Sequence, residues 1–185
     1  MRCGGGDDPV LMPGPAAERL CGFPPLVGER PRVLVLGSMP GAASLAALEY
    51  YGHPRNAFWP IMGELFGAGP ALPYAERTAR LGAAGVALWD VLAACRRPGS
   101  LDSAIEPDSI ELNDIPGLLA AQPGIRHVFC NGTAAATLLR RHVLGRLPRA
   151  LPWTRLPSTS PAHAGRSLAD KLAAWRVLAD TLAVD

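Results

Sequence analysis

Two short apolar runs and two mixed segments with aromatic or β-branched residues recur along the chain, and each is followed by a polar or turn-forming residue. They cover residues 33–36, 86–89, 126–130 and 153–156. Runs of this length that end at Gly, Asp, Asn or Pro predict buried strands. The intervening segments carry apolar residues at helical spacing, which predicts helices over 42–50, 56–65, 73–81, 113–119, 133–143 and from 167 onward. Strands separated by helices predict an α/β fold with a mostly parallel central sheet and helices on both faces.

Length and composition favour one domain. The chain has 185 residues, of which 49% are hydrophobic and 18% charged. Residues 1–17 are rich in Gly and Pro and are predicted to be a disordered N-terminal extension, leaving residues 18–185 as the domain. No apolar run approaches membrane-spanning length, and the N-terminus lacks the apolar core of a signal peptide. We therefore expect a cytoplasmic protein that is a monomer and has no membrane partner.

Charge is distributed unevenly, although the net charge is only +2. Residues 126–166 contain seven Arg and no acidic residue, which predicts one positive face suited to nucleic-acid phosphates. A solvated surface in an Arg-rich protein is the alternative. The four cysteines are widely separated and form no CxxC pair, so we expect neither a metal site nor a cofactor.

Polar side chains follow three of the four predicted strands. Ser38 comes after the first, Asn131 after the third and residues 158–163 after the fourth, and a polar-aromatic segment covers residues 50–59. In a parallel sheet these loops converge on one edge and form one site. The pattern lacks a nucleophile elbow, a P-loop lysine and a dinucleotide fingerprint, which argues against those three classes of protein. Amides, hydroxyls and an aromatic ring suit a flat heteroaromatic ligand and a positioned water, as base excision from DNA requires.

Three segments in order carry a family resemblance: GSMPG at 37–41, YGHPRNAFW at 51–59 and LPSTSPAH at 156–163. Together with Asn131-Gly132 they resemble the uracil-DNA glycosylase superfamily, and within it most closely the hypoxanthine-DNA (deoxyinosine) glycosylase family. The resemblance spans roughly residues 20–178. It implies a monofunctional glycosylase of base excision repair that hydrolyses the N-glycosidic bond of a flipped, deaminated base, with hypoxanthine preferred.

The resemblance also implies roles for single residues. Met39 occupies the slot where most members of the superfamily carry the Asp or Asn that positions the attacking water, so the usual catalytic group is missing. The hypoxanthine family has an apolar residue there too, and its catalytic amide corresponds to Asn56. Tyr51 matches the aromatic that stacks on the flipped base, and Asn131 matches the amide that reads the base edge.

The complete set of expected site residues follows from these matches. Asn56 is the expected catalytic residue. The expected base-binding residues are Ser38, Met39, Gly41, Tyr51, His53 and Asn131. The expected DNA-binding residues are Ser44, Ser158, Thr159, Ser160 and His163.

Each assignment has a structural alternative. Asn56 could cap a helix, Asn131 could form a turn with Gly132, and Tyr51 could belong to the core. His53 could bond a backbone group, and His163 could be ordinary surface. Asp90 and Asp102 are predicted to make structural bonds to loop amides. For the whole chain, the alternatives are a uracil or broader damaged-base glycosylase and a non-catalytic protein that binds DNA lesions.

Overall fold

The central feature of the fold is a four-stranded parallel sheet. A computed structural model describes residues 18–184. The sheet contains β2 (Val33–Gly37), β3 (Val86–Asp90), β6 (His127–Asn131) and β7 (Trp153–Leu156), in the order β3-β2-β6-β7. All four predicted strands are confirmed, three of them with ends displaced by one residue. The chain places β3 on one side of β2 and β6 on the other, which creates a topological switch point beside β2.

Helices cover both faces of this sheet, as predicted. They are α1 (Ala42–Ala47), α2 (Phe58–Phe66), α3 (Tyr74–Ala83), α4 (Ile115–Ala121), α5 (Thr133–Leu138) and α6 (Leu168–Ala183). One wider π-helical turn, Leu139–Val143, continues α5. Helix α6 begins at a capping box, in which the Ser167 hydroxyl accepts from the Asp170 backbone N–H.

Two apolar cores follow from the alternation of side chains along the strands. Val33 and Val35 of β2 point to one face, where they pack with residues of α2, α3 and α6 such as Phe58 and Trp175. Leu34 and Leu36 point to the other face and pack with residues of α4 and α5. Both faces of β2 are buried, which is why this strand appears in the sequence as a continuous apolar run.

A second, antiparallel sheet was not predicted. It contains β1 (Arg19–Cys21), β4 (Leu92–Arg96) and β5 (Glu111–Leu112), in the order β1-β4-β5. Residues 19–21, for which no strand was predicted, therefore contribute a strand. Strand β4 follows β3 after the single residue Val91, and no Gly, Pro or Asn marks a turn between the two strands. The carbonyls of Gly37 and Ser38 accept from the backbone N–H groups of Val91 and Leu92, which redirects the chain at this point.

Two expectations remain, one for the N-terminal extension and one for membrane-spanning helices. The expected N-terminal extension, residues 1–17, lies outside the described residues. Among residues 18–184, the longest helix is too short and too polar to cross a lipid bilayer.

Candidate active site

The candidate site is a cavity of about 140 Å³ at the carboxyl ends of β2, β3 and β6. It lies at the switch point of the sheet, where ligands bind in folds of this type. All of the expected site residues except His163 line it. The cavity is also lined by four polar groups that were not assigned to the site: Tyr50, Asp90, Ser100 and Asp102.

Strand register places two polar side chains on either side of a glycine. Gly37 is opposite Asp90 in the β2–β3 ladder, and the β2–β6 ladder ends at Leu36 opposite Cys130, one residue before Asn131. With strands about 4.8 Å apart, Asp90 and Asn131 stand about 10 Å from each other across β2. A Cβ atom at position 37 would collide with Asp90 Oδ1. Glycine therefore makes room above β2 for the carboxyl of Asp90 and the hydroxyl of Tyr51.

The Asn131 side chain is held by Thr159. Its Nδ2 donates to Thr159 Oγ1 at 2.8 Å, and its Oδ1 accepts from the Thr159 backbone N–H at 2.9 Å. A backbone N–H can only donate, so the atom facing it must be the amide oxygen, and the orientation of the amide is fixed. The amide keeps one N–H and one lone pair for a ligand. A turn-forming role for Asn131 does not explain these two bonds.

Asn56 has the expected capping contact and also lines the cavity. Its Oδ1 accepts from the backbone N–H of Phe58 at 2.9 Å, which satisfies a free donor at the start of α2. The side chain is partly buried, and its Nδ2 and one oxygen lone pair remain available for further bonds. The N-cap residue of α2 is Ala57, so Asn56 bonds the first helical N–H from the position before the cap, and catalysis by Asn56 stays a prediction.

Tyr51 stands in a backbone conformation that tyrosine rarely adopts. Its φ is 55°, in the left-handed region, which costs a bulky residue on the order of 1–3 kcal/mol. Its ring stacks on Phe58 with centroids 4.0 Å apart. Its hydroxyl is buried without a hydrogen-bond partner in the described chain, and burial together with Asp90 raises its pKa. Strain of this kind persists where the surroundings fix a functional geometry.

Asp90 was not expected in the site. Its Oδ2 is buried and has no hydrogen-bond partner among residues 18–184, so the predicted bond to loop amides is not seen for this atom. Burial, and secondarily the charge of Asp102, raise the pKa of Asp90 to about 7, while the charge of Arg97 opposes the shift. Its position directly after a buried strand was the sequence signal. That signal shows neither the burial nor the neighbouring charges.

A polar network fixes the loop that follows β2. The Ser38 hydroxyl donates to Asp102 Oδ1 at 2.7 Å. The Arg97 side chain is fully buried, donates to the Pro40 carbonyl at 2.6 Å, and lies 3.8 Å from Asp102 Oδ1. Partial burial raises the pKa of Asp102 despite these favourable neighbours. Asp102 thus makes a structural bond, as predicted, but to a hydroxyl rather than to a loop amide.

The remaining expected base-binding residues have ordinary structural contacts in addition to their place in the cavity. Met39 is 6% exposed and packs with Leu92 and Cys95, so it brings no polar group to the motif. His53 Nδ1 accepts from the backbone N–H of Arg55 at 3.1 Å, which confirms the backbone-bond alternative for this residue. Gly41 precedes α1 directly.

The expected DNA-binding residues fall into two groups. Ser44 and Thr159 are buried, and their hydroxyls accept from Gly52 N–H and Asn131 Nδ2. Ser158 and Ser160 accept from backbone N–H groups two residues on, which leaves both hydroxyl protons free to donate to an anion. Contact of these four residues with DNA stays a prediction.

A groove beside the cavity contains His163, the remaining expected DNA-binding residue. Ser158 and Ser160 line both spaces, and the groove also contains Arg155 and Arg166. His163 is exposed, and its carbonyl accepts from Lys171 Nζ on α6 at 2.9 Å. The groove offers a cationic path that leads directly to the cavity.

The expectation of one arginine face over residues 126–166 is wrong. Arg126 precedes β6 and donates to the Val184 carbonyl, whereas Asn131 ends the same strand at the site. A five-residue strand separates the two by roughly 16 Å. Arg149 also lies at the far edge and donates to the carbonyls of Pro123 and Ile125. The arginines that cluster along the sequence are therefore divided between the two ends of the parallel strands.

No group of three or more His, Cys, Asp or Glu side chains within residues 18–184 could hold a metal ion. Cys130 is fully buried in β6.

Comparisons with known proteins agree with this geometry. The family model of the Uracil DNA glycosylase superfamily matches residues 24–179. A "Hypoxanthine DNA glycosylase" of Methanosarcina barkeri (strain Fusaro / DSM 804) is 37% identical over 112 residues, which are 60% of this chain and 70% of that protein. Another of the same description, from Methanosarcina acetivorans, is 36% identical over 115 residues, covering 62% and 72% of the two chains.

A solved structure is also similar. The solution NMR structure of a proposed uracil DNA glycosylase from Methanosarcina acetivorans superposes with a TM-score of 0.72 at 30% identity, covering 89% of this chain and 99% of the other. The parallel sheet, the cavity at its switch point and the family match together show that the chain belongs to the Uracil DNA glycosylase superfamily. It is a DNA glycosylase, an enzyme whose substrate is DNA.

Proposed function

We propose that the protein is a monofunctional hypoxanthine-DNA glycosylase that removes a flipped, deaminated purine in base excision repair. The observation that carries the proposal is the enclosure of Asn56, Tyr51 and Asn131 around one cavity at the switch point. Both relatives described above are named for hypoxanthine, which supports the same substrate here. A deaminated base pairs poorly and therefore flips out of the duplex at low cost.

Base recognition follows from the fixed amide of Asn131. Hypoxanthine presents an N1–H donor and an O6 acceptor, whereas adenine presents an N1 acceptor and an amino donor at the same positions. The free lone pair of Asn131 Oδ1 and the free N–H of Nδ2 complement the hypoxanthine edge. Thr159 prevents the amide from rotating to complement adenine. The flipped base would rest against the ring of Tyr51, whose other face is supported by Phe58.

Hydrolysis would proceed through an oxocarbenium-like state with water as the nucleophile. Asn56 is assigned to hold this water against C1′ with the amide groups that the helix cap leaves free. An amide is not a base, so the water loses its proton only after the cation has formed. Lys171 is the single lysine of the chain, and its Nζ is bonded to the His163 carbonyl outside the cavity. Within residues 18–184 no lysine amine is therefore placed for a Schiff base, which supports glycosylase without lyase activity.

The DNA backbone would run along the groove beside the cavity. Arg155 and Arg166 supply positive charge there, and Ser158 and Ser160 supply hydroxyl donors. These contacts carry no sequence information. They position the strand so that one nucleotide can enter the cavity.

The direct test uses labelled oligonucleotides that contain one hypoxanthine, xanthine or uracil, in duplex and single-stranded form. After incubation with the enzyme, hot alkali cuts every abasic site. We expect cleavage at hypoxanthine that depends on the alkali step. Cleavage chiefly at uracil would overturn the substrate, and cleavage without alkali would overturn the monofunctional mechanism. Specific binding with no abasic product would favour a lesion-binding protein.

A further inference from the structure

We propose that Asp90 is the general acid of this reaction and donates the proton of its carboxyl group to N7 of the departing hypoxanthine. This inference rests on the proposed function. The loop at residues 37–41 has Met39 where most members of the superfamily carry Asp or Asn, so it supplies no acid. The inference assigns the acid to the neighbouring strand β3 instead.

The first argument is the position of the carboxyl group. Asp90 ends β3 and lines the cavity, and it shares its register and its sheet face with Asn131. Gly37 lies between the two strand positions, and because it has no side chain the carboxyl of Asp90 can lie above β2 on the cavity side. A base whose N1 and O6 edge is held by Asn131 therefore extends toward the carboxyl of Asp90.

The second argument is that Asp90 Oδ2 has no partner. Asp90 is 3% exposed, and this oxygen makes no hydrogen bond within the described residues. A buried polar atom without a partner costs on the order of 1–3 kcal/mol, so such atoms call for an explanation. A ring nitrogen of the substrate would satisfy it. Tyr51 Oη lies close to Gly37 and is likewise buried without a hydrogen-bond partner among the described residues.

The third argument concerns the charge state. The titratable and charged groups that influence Asp90 are Asp102, Arg97, Tyr50 and Tyr51. Burial and Asp102 disfavour the carboxylate, Arg97 favours it, and the tyrosines are neutral. The pKa of Asp90 is about 7, so the group is a neutral acid below that pH. Catalytic acids perform best when their pKa lies near the working pH.

The step balances without a co-reactant. The C1′–N9 bond breaks, and its electron pair stays with the purine. The proton of Asp90 Oδ2 passes to N7, so that neutral hypoxanthine departs and Asp90 becomes a carboxylate. Water adds to C1′ of the cation, and the proton that it releases restores Asp90. The products are hypoxanthine and an abasic deoxyribose.

The experiment measures single-turnover release of hypoxanthine between pH 5.5 and 8.5 by the wild-type enzyme, Asp90→Asn and the control Asp108→Asn. Asp108 is an exposed carboxylate that does not line the cavity. We expect the wild-type and control rates to fall above about pH 7, tenfold per unit. Asp90→Asn should be about 10²-fold slower at pH 6 and independent of pH.

Several outcomes would overturn the inference. Release that is equally fast in Asp90→Asn would exclude an acid role, and a wild-type rate that rises through pH 7 would indicate a general base instead. The wild-type pH profile decides between acid and base even if the variant fails to fold. If the wild-type enzyme releases no hypoxanthine, the proposed function fails. If it does so without a falling limb, the proposed function stands and only the role of Asp90 fails.

Discussion

Asn56 performs two tasks with one side chain, and a substitution can separate them. Its Oδ1 accepts from the Phe58 N–H at the start of α2, while the rest of the amide faces the cavity. A serine hydroxyl can accept from the same N–H two residues on but has no amide, and alanine can do neither.

We therefore expect Asn56→Ser and Asn56→Ala to lose most hypoxanthine excision, on the order of 10²-fold or more. Only the alanine variant should lose stability, by about 1 kcal/mol. Single-turnover assays and thermal melts measure the two effects, with Gln122→Ala at the far edge as the control for loss of an amide. Full activity in Asn56→Ser would show that Asn56 has only a structural role at the start of α2.

Asp90 links the site to stability through its proton. Its pKa is raised from the ordinary value of 3.8 to about 7, so between those values the folded protein holds a proton that the unfolded chain releases. The stabilising contribution of the neutral carboxyl is complete below about pH 4 and is lost as the pH rises through 7.

We expect Asp90→Asn, which cannot ionise, to melt at a temperature close to that of the wild type at pH 4.5. At pH 8 it should melt higher by on the order of 10 °C. Thermal melts followed by circular dichroism at both pH values give the comparison. An identical shift at the two pH values would mean that Asp90 does not titrate in this range.

At the scale of elements, the loop after β7 organises the two amides of the site. Thr159 holds Asn131 with its hydroxyl and its backbone N–H, and its carbonyl accepts from Ala57 N–H beside Asn56. Helix α6 fixes the loop at both ends, because Trp175 Nε1 donates to the Pro157 carbonyl and Lys171 Nζ to the His163 carbonyl. The loop thus joins β6, α2 and α6.

The hydroxyl of Thr159 can be removed with little change in shape. Thr159→Val keeps the backbone bond but leaves Asn131 Nδ2 without its buried acceptor, so we expect kcat/KM for hypoxanthine to fall about tenfold. Thr159→Ser keeps the acceptor and should stay within about twofold of the wild type. Steady-state assays of both variants decide the point. Equal activity of the valine and serine variants would show that the backbone bond alone orients the amide.

At the scale of the whole molecule, the arginines divide between two edges of the sheet. Arg155 and Arg166 line the groove that opens onto the site. Arg126 lies at the other edge and donates to the Val184 carbonyl. Only the first pair is placed to neutralise phosphates next to a base in the cavity.

We expect Arg155→Ala and Arg166→Ala each to weaken DNA binding and to reduce the slope of log K against log salt by about 0.9. Arg126→Ala should change neither quantity. Fluorescence anisotropy with hypoxanthine-containing duplexes at several salt concentrations provides the slopes. An equal effect of Arg126→Ala would indicate that DNA contacts arginines throughout residues 126–166, not only those in the groove.

The sequence by itself determined the parallel sheet and most of the residues that line the site. Apolar runs that end at Gly37 and Asn131 specify buried strands whose polar loops must share an edge. The capping box of Ser167 and Asp170 spans only four residues, so its pattern is visible in the sequence alone.

Only the tertiary structure decided which polar groups work together. The burial of Asp90, the clamp of Thr159 on Asn131 and the division of the arginines depend on contacts between residues far apart in the chain. The second sheet was missed for a related reason, since β4 follows β3 without a turn signal and its direction is fixed by carbonyls of β2 and its loop. Spacing along a sequence records periodicity, whereas desolvation and hydrogen-bond partners arise only when distant segments meet.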